Sequence, residues 1–165
     1  KEALSALTII DYSIENIDHL NLPFYYDKSR KVTKEDISIF EKYLFKLKPN
    51  HIFVCGDNDP KGTHLKCFNI IKQANLPESV KKIWIYKGAW DCWDKNSDIK
   101  ENTSIYLNQS ILNKKLLSLK MHLSQHPLIV NDDNNKDLLE RCNEITKDDN
   151  NNICERFKVM DANLF

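Results

Sequence analysis

Apolar residues recur three and four apart at Leu4, Leu7, Ile10 and Ile14, and this spacing predicts a helix over residues 2–14. A short strand is expected at Asp18–Leu22, ended by Pro23 and the aromatic run Phe24-Tyr25-Tyr26. After a polar loop, Thr33 is placed to cap a helix, with Asp36 three residues on for the reciprocal bond. Ile37, Phe40, Leu44 and Leu47 form its buried stripe, and Pro49 stops it. The apolar run His51–Cys55 reads as a buried strand, Gly56–Gly62 as a loop, and His64–Asn75 as a helix with Cys67, Ile70, Ile71 and Ala74 on one face. Lys82–Tyr86 is rich in branched and aromatic residues and predicts a strand. The stretch from Lys87 to Tyr106 reads as irregular, and Ser110–Gln125 as a helix striped by Leu112, Leu116, Leu119 and Leu123. A helix near Asn135–Lys147 and a last turn near Cys154–Met160 complete the pattern.

Helix and strand thus alternate, which predicts an α/β fold: Rossmann-like, with a mostly parallel sheet and flanking helices. His51–Cys55 is expected to be a central strand, because its apolar run is unbroken. Ligands in such sheets bind beyond the carboxyl ends of the strands, and Cys55–His64 falls there.

The 165 residues suit one domain with one core. Lys+Arg 24 against Asp+Glu 24 leaves no basic face for a nucleic-acid partner. No apolar run reaches membrane-spanning length, so no membrane partner is expected. Five scattered cysteines without CxxC spacing suit reduced thiols in a cytoplasmic protein. The chain opens at Lys1 inside a helical pattern, and we expect it to be cut from something longer.

The loop reads Cys55-Gly56-Asp57-Asn58-Asp59-Pro60-Lys61-Gly62-Thr63-His64. Asp and His are ordinary ligands of a catalytic zinc, which takes three protein ligands and keeps a position for water. Asp-Asn-Asp-Pro before a helix is equally what a plain turn and N-cap look like. Residue types alone leave both readings open.

Four segments, in order, resemble the PIG-L/LmbE deacetylase-like family. His51–Asp57 followed by Asp59–His64 resembles its strand and loop, where the family has a His-x-x-His pair and the second histidine binds zinc. In the branch fused to glucosamine-6-phosphate deaminases, that loop resembles Asp-Pro-His-Gly-Thr-His. His19–Tyr25, Trp84–Trp90 with Trp93-Asp94, and Lys114-Lys115 with His122, Ser124 and Gln125 resemble further segments of that branch. The resemblance implies a PIG-L/LmbE-like domain over residues 1–126, its N-terminal part missing, and a C-terminal helical extension over 127–165.

It also implies the chemistry. His64 would be the metal ligand, Asp57 or Asp59 would orient it or the attacking water, and His122 would line the site. Lys61 stands where the family has the first histidine; a protonated lysine cannot bind zinc, but as a site residue it would stabilise an oxyanion or bind a sugar phosphate. The family's remaining ligands belong to an Ala-His-Pro-Asp-Asp-like motif that would lie upstream. Zinc is therefore expected in an intact domain and not in this chain alone. The implied partners are an amino sugar or sugar phosphate and a covalently linked upstream deaminase domain; a homo-oligomer is left open. Two functions follow: an active zinc-dependent de-N-acetylase of an amino sugar, or a non-catalytic assembly or regulatory module of a deaminase. Trp90 and Trp93 fit a sugar platform, but core packing is the expected role, as it is for Phe24-Tyr25-Tyr26.

Overall fold

The computed structural model describes residues 1–27, 29–57, 62–87, 100–125, 140, 142–143 and 146–165. The elements run α1 (Glu2–Ile9), α2 (Pro23–Tyr26), α3 (Lys34–Leu47), β1 (His51–Cys55), α4 (Thr63–Gln73), β2 (Lys82–Tyr86), β3 (Thr103–Tyr106), α5 (Gln109–Lys120) and β4 (Cys154–Asp161). Short 3-10 turns lie at Ile14–Asn16, Leu123–Gln125 and Ala162–Leu164. Among the described residues no helix is long and apolar enough to cross a membrane.

The chain divides into two compact units. One comprises Lys1–Asp18 and Ser104–Arg156, the other His19–Thr103 and Phe157–Phe165. The four-stranded sheet has the order β1-β2-β4-β3. β1 runs parallel to β2, with Ile52 beside Ile83 and Val54 beside Ile85, as expected of two strands joined through a helix. β2 and β4 are antiparallel, Trp84 facing Val159. The sheet is therefore mixed.

In the second unit, α4 packs on β1 and α3 on α4. Leu44, Ile52, Val54, Phe68, Ile71, Val80, Ile83 and Ile85 close the core, with Phe40, Leu76, Met160 and Phe165 around them. The expected cap of α3 is present, with the Thr33 N–H and hydroxyl both donating to Asp36 Oδ2 at 2.8 Å. Lys48 ends α3 in the left-handed region at φ 50°, its N–H reaching Leu44 O at 2.8 Å, just ahead of Pro49. Of the α3 stripe, Leu44 is buried, Ile37 and Phe40 are half-buried, and Leu47 is exposed.

In the first unit, α1 packs on α5, and the Ser118 hydroxyl donates to Ala6 O at 2.8 Å. Leu112 is buried, Leu116 and Leu119 are half-buried, and Leu123 is exposed, so the α5 stripe fades toward its end. The Lys115 ammonium donates to Glu155 and, at 2.7 Å, to the hydroxyl of buried Thr146.

Four local expectations are corrected. Asp18–Leu22 forms no strand, since Asn21 sits at φ 51° and breaks the extended run. The first helix stops at Ile9, where Asp11 adopts φ 58°. Thr103–Tyr106 is a strand, and Cys154–Met160, read as a helical turn, lies within strand β4. β4 is polar at intervals (Glu155, Arg156, Lys158) and gains its conformation from pairing with β2, which local periodicity does not register. His51–Cys55 was expected in the middle of the sheet. Among the described strands it stands at one end, because an apolar run reports burial of one face as readily as two. The helix expected at Asn135–Lys147 falls largely outside the described residues.

Candidate functional site

The loop after β1 starts where parallel pairing ends. Gly56 N–H donates to Tyr86 O at 3.0 Å, the last rung of the β1–β2 ladder, and half-buried Asp57 follows. Asn58, Asp59, Pro60 and Lys61 lie outside the described residues, so the roles expected of Asp59 and Lys61 rest on the sequence. The chain resumes at Gly62, whose φ of 76° lies in the left-handed region. No atom stands within 4 Å of where a Cβ would be, so backbone conformation and not space favours glycine there. Thr63 opens α4, and His64 is its second residue, with an exposed side chain. Asp57 and His64 thus bracket the loop at the carboxyl end of β1.

The neighbouring segment is held by one buried carboxylate. Asp36 is fully buried and accepts the Phe24 N–H at 2.9 Å through Oδ1, besides its two bonds to Thr33. Burial pushes its carboxyl up. The N–H of Phe24, the N–H and hydroxyl of Thr33 and the charge of Arg30 together outweigh that and hold it below the ordinary range. Phe24 is consequently anchored, 2% exposed, while Tyr25 and Tyr26 are 64% and 75% exposed. The packing role expected for this triplet holds for Phe24 alone.

Lys66, which the sequence reading did not single out, places its ammonium 5.5 Å from the Phe24 ring centroid. The carboxyl of Asp27 is lowered first by the Ser29 hydroxyl, then by the Ser29 N–H, with the Lys66 charge a smaller cause. A cation at the second turn of a helix carries no motif of its own, which explains the omission.

His122 belongs to the other unit, half-buried just after α5. The residues around it are engaged structurally. Ser124 donates its hydroxyl to Glu2 at 2.6 Å and its N–H at 2.9 Å, and Lys114 pairs with Asp11 at 2.6 Å. The Ser124 bonds hold the Glu2 carboxyl low, with the His122 charge a lesser cause. Trp90, Trp93 and His126 lie outside the described residues.

As metal donors, Asp57 and His64 are two where a catalytic zinc takes three from protein. Among the described residues no three His, Cys, Asp or Glu side chains are grouped as ligands would be, and Asp59 lies outside them. The described donors do not make a complete zinc set. A cavity of about 720 Å³ opens at the opposite end of the second unit, between Ala74, Pro77, Lys81, Asp161 and Phe165, away from the loop.

No family model matches the chain. It is 30% identical over 148 residues to a glucosamine-6-phosphate deaminase-like protein of Bacteroides thetaiotaomicron, taking in 80% of this chain and 22% of that protein. The chain therefore spans under a quarter of the curated relative it matches. Among solved structures it is similar to a deacetylase of the teicoplanin biosynthetic pathway, crystallised as a triple mutant. The TM-score is 0.64 at 13% identity, covering 97% of this chain and 69% of that one. At that identity the likeness establishes the α/β fold.

Proposed function

We propose, from the premise that this chain is related to one segment of a glucosamine-6-phosphate deaminase-like protein and carries the fold of a deacetylase, that it is a deacetylase-like module of an amino-sugar-handling protein. In this reading, deamination of glucosamine 6-phosphate belongs to a covalently linked upstream domain, and the present residues contribute binding or assembly. The observation that carries it is the uneven coverage: most of this chain matches, but it accounts for 22% of the relative.

The loop chemistry supports binding over cleavage. Amide hydrolysis needs a group that takes a proton from water and returns it to the leaving amine. A histidine titrates near neutrality and can do both. Lys61 stands at the matching position, and a lysine ammonium has no lone pair with which to accept that proton. Its charge suits the phosphate of a sugar phosphate instead. Zinc, when bound in an intact domain of this kind, would supply an acidified water.

The test uses the complete protein that carries this chain. Ammonia release from glucosamine 6-phosphate and acetate release from N-acetylglucosamine 6-phosphate are followed side by side. Ammonia without acetate is expected. Acetate release that His64→Ala abolishes would overturn the reading in favour of an active de-N-acetylase. Lys61→His is expected to raise acetate release by about 100-fold or more, the lower range for a positioned acid–base group, only where the remaining ligands are supplied upstream.

A second expectation concerns zinc itself. With two described donors and Lys61 between them in the sequence, the 165-residue chain should take up zinc weakly or not at all. Titration calorimetry with a His64→Ala control checks this; tight binding lost on that substitution would mean the ligand set is larger than Asp57, Asp59 and His64.

A further inference from the structure

The three aromatic residues of α2 divide their work unevenly. Phe24 is buried, and its N–H is fixed at 2.9 Å by the fully buried Asp36 carboxylate. Tyr25 and Tyr26 follow at about 100° each round the same turn. They carry their rings outward, 64% and 75% exposed.

Exposure of a tyrosine needs no explanation by itself. What marks these two is that both rings are held. The Tyr25 ring meets the edge of Phe24 at 6.3 Å and 74°. The Tyr26 hydroxyl donates to Asn21 Oδ1 at 3.0 Å. Asn21 in turn sits in the left-handed region at φ 51°, and its Nδ2 donates to His19 O at 3.3 Å. Asparagine tolerates that backbone because its short amide bonds locally. A buried carboxylate on the inner side and a left-handed asparagine on the outer side thus fix a four-residue turn.

The turn also stands beside the loop after β1. The Lys66 ammonium lies 5.5 Å from the Phe24 ring centroid. Lys66 is two residues beyond His64 on α4, a rise of about 3 Å. Phe24 is therefore packed at the end of α4 that carries Gly62 and His64.

We propose that Tyr25 and Tyr26 form a platform for the C–H face of a hexopyranose ring. The choice of an amino sugar as that ring rests on the functional reading above. The face of an aromatic ring is electron-rich, and the C–H groups of a pyranose are weakly positive. Such a contact leaves the sugar hydroxyls to water and to neighbouring polar groups. Rings already held in place lose little freedom when a ligand arrives, which is what the Asp36 and Asn21 bonds provide. Two tyrosine rings also offer far less than the roughly 800 Å² per partner of a stable protein interface, so a small ring fits them better than a protein does. The platform would recognise the sugar ring itself and leave a phosphate to the cations of the loop.

The complete protein carrying this chain is made with p-fluorophenylalanine at position 25, and its fluorine NMR signal is followed during titration. The probes are N-acetylglucosamine 6-phosphate, glucose 6-phosphate and glucitol 6-phosphate, the last having the phosphate and hydroxyls but no ring. A saturable shift with the cyclic sugar and none with glucitol 6-phosphate is expected. Adding Tyr26→Ala should raise the dissociation constant about 5-fold or more, as for an anchor residue truncated to alanine, and Tyr26→Phe, which keeps the ring, should raise it less. Four results would overturn the proposal: no shift, an equal shift with glucitol 6-phosphate, a shift that follows protein concentration and not sugar, or a dissociation constant untouched by Tyr26→Ala. Ammonia and acetate release by the same protein separate the two readings. Either product without a shift removes the platform and leaves the amino-sugar function standing. A shift with glucose 6-phosphate in a protein that releases neither keeps the platform and removes the amino sugar.

Discussion

Ile83→Ala is expected to lower stability by about 2–5 kcal/mol. Ile83 is fully buried in the middle of β2, beside Ile52 on the parallel side and Met160 on the antiparallel side. Its side chain belongs to the cluster that α4 closes through Phe68 and Ile71. Truncation removes the transfer free energy of the lost methyl and methylene groups and leaves a cavity. Flanking strands pinned by ladder bonds cannot collapse into it, which places the cost in the upper part of that range. Urea denaturation at unchanged m measures it. Ile83→Val should cost about 0.5–1.5 kcal/mol, because one methyl leaves a smaller void. A loss below about 1 kcal/mol for the alanine variant would show that this strand does not carry the core.

The second large effect concerns Asp36. Asp36→Ala strips acceptors from the Phe24 N–H and from the N–H and hydroxyl of Thr33. Losing the cap costs about 1 kcal/mol. Leaving a buried N–H without a partner adds about 1–3 kcal/mol. We expect about 2–4 kcal/mol together, with loss of order at α2, since Phe24 is held by one of these bonds.

Asp36→Asn keeps the shape but loses the charge, and it separates the electrostatic part. The Asp36 carboxyl is lowered in the folded state, so the unfolded chain takes up its proton first as the pH falls. Its contribution is fully present above the ordinary carboxylate value of about 3.9 and is lost as pH falls through the lower folded value. The stability gap between the native protein and Asp36→Asn should therefore be widest above about pH 4 and narrow below it. A gap that stays constant from pH 7 to 3 would mean the folded carboxyl is not held low.

Local signals carried much of the architecture. The Thr33–Asp36 cap, the run at His51–Cys55, the strand at Lys82–Tyr86 and α3, α4 and α5 were legible because caps, periodicity and branched-residue enrichment act between residues close in sequence. The position of the loop between Asp57 and His64, at the carboxyl end of a strand and the start of a helix, was legible for the same reason. The ligand set was not, since which donors converge depends on segments distant in the chain.

What the sequence by itself determined is thus most of the described elements within the first 126 residues, apart from α2, β3 and the Asp18–Leu22 stretch. Only the tertiary structure decided that β4 joins the sheet against β2, that the sheet is mixed, and that β1 stands at one end among the described strands. β4 carries Glu155, Arg156 and Lys158 among its apolar residues and has no periodicity of its own to declare it. Its strand conformation comes from backbone bonds to a partner more than seventy residues away, such as Trp84 facing Val159. Pairing across that distance leaves no mark on local composition, whereas a cap or a stripe is written within a few residues of where it acts.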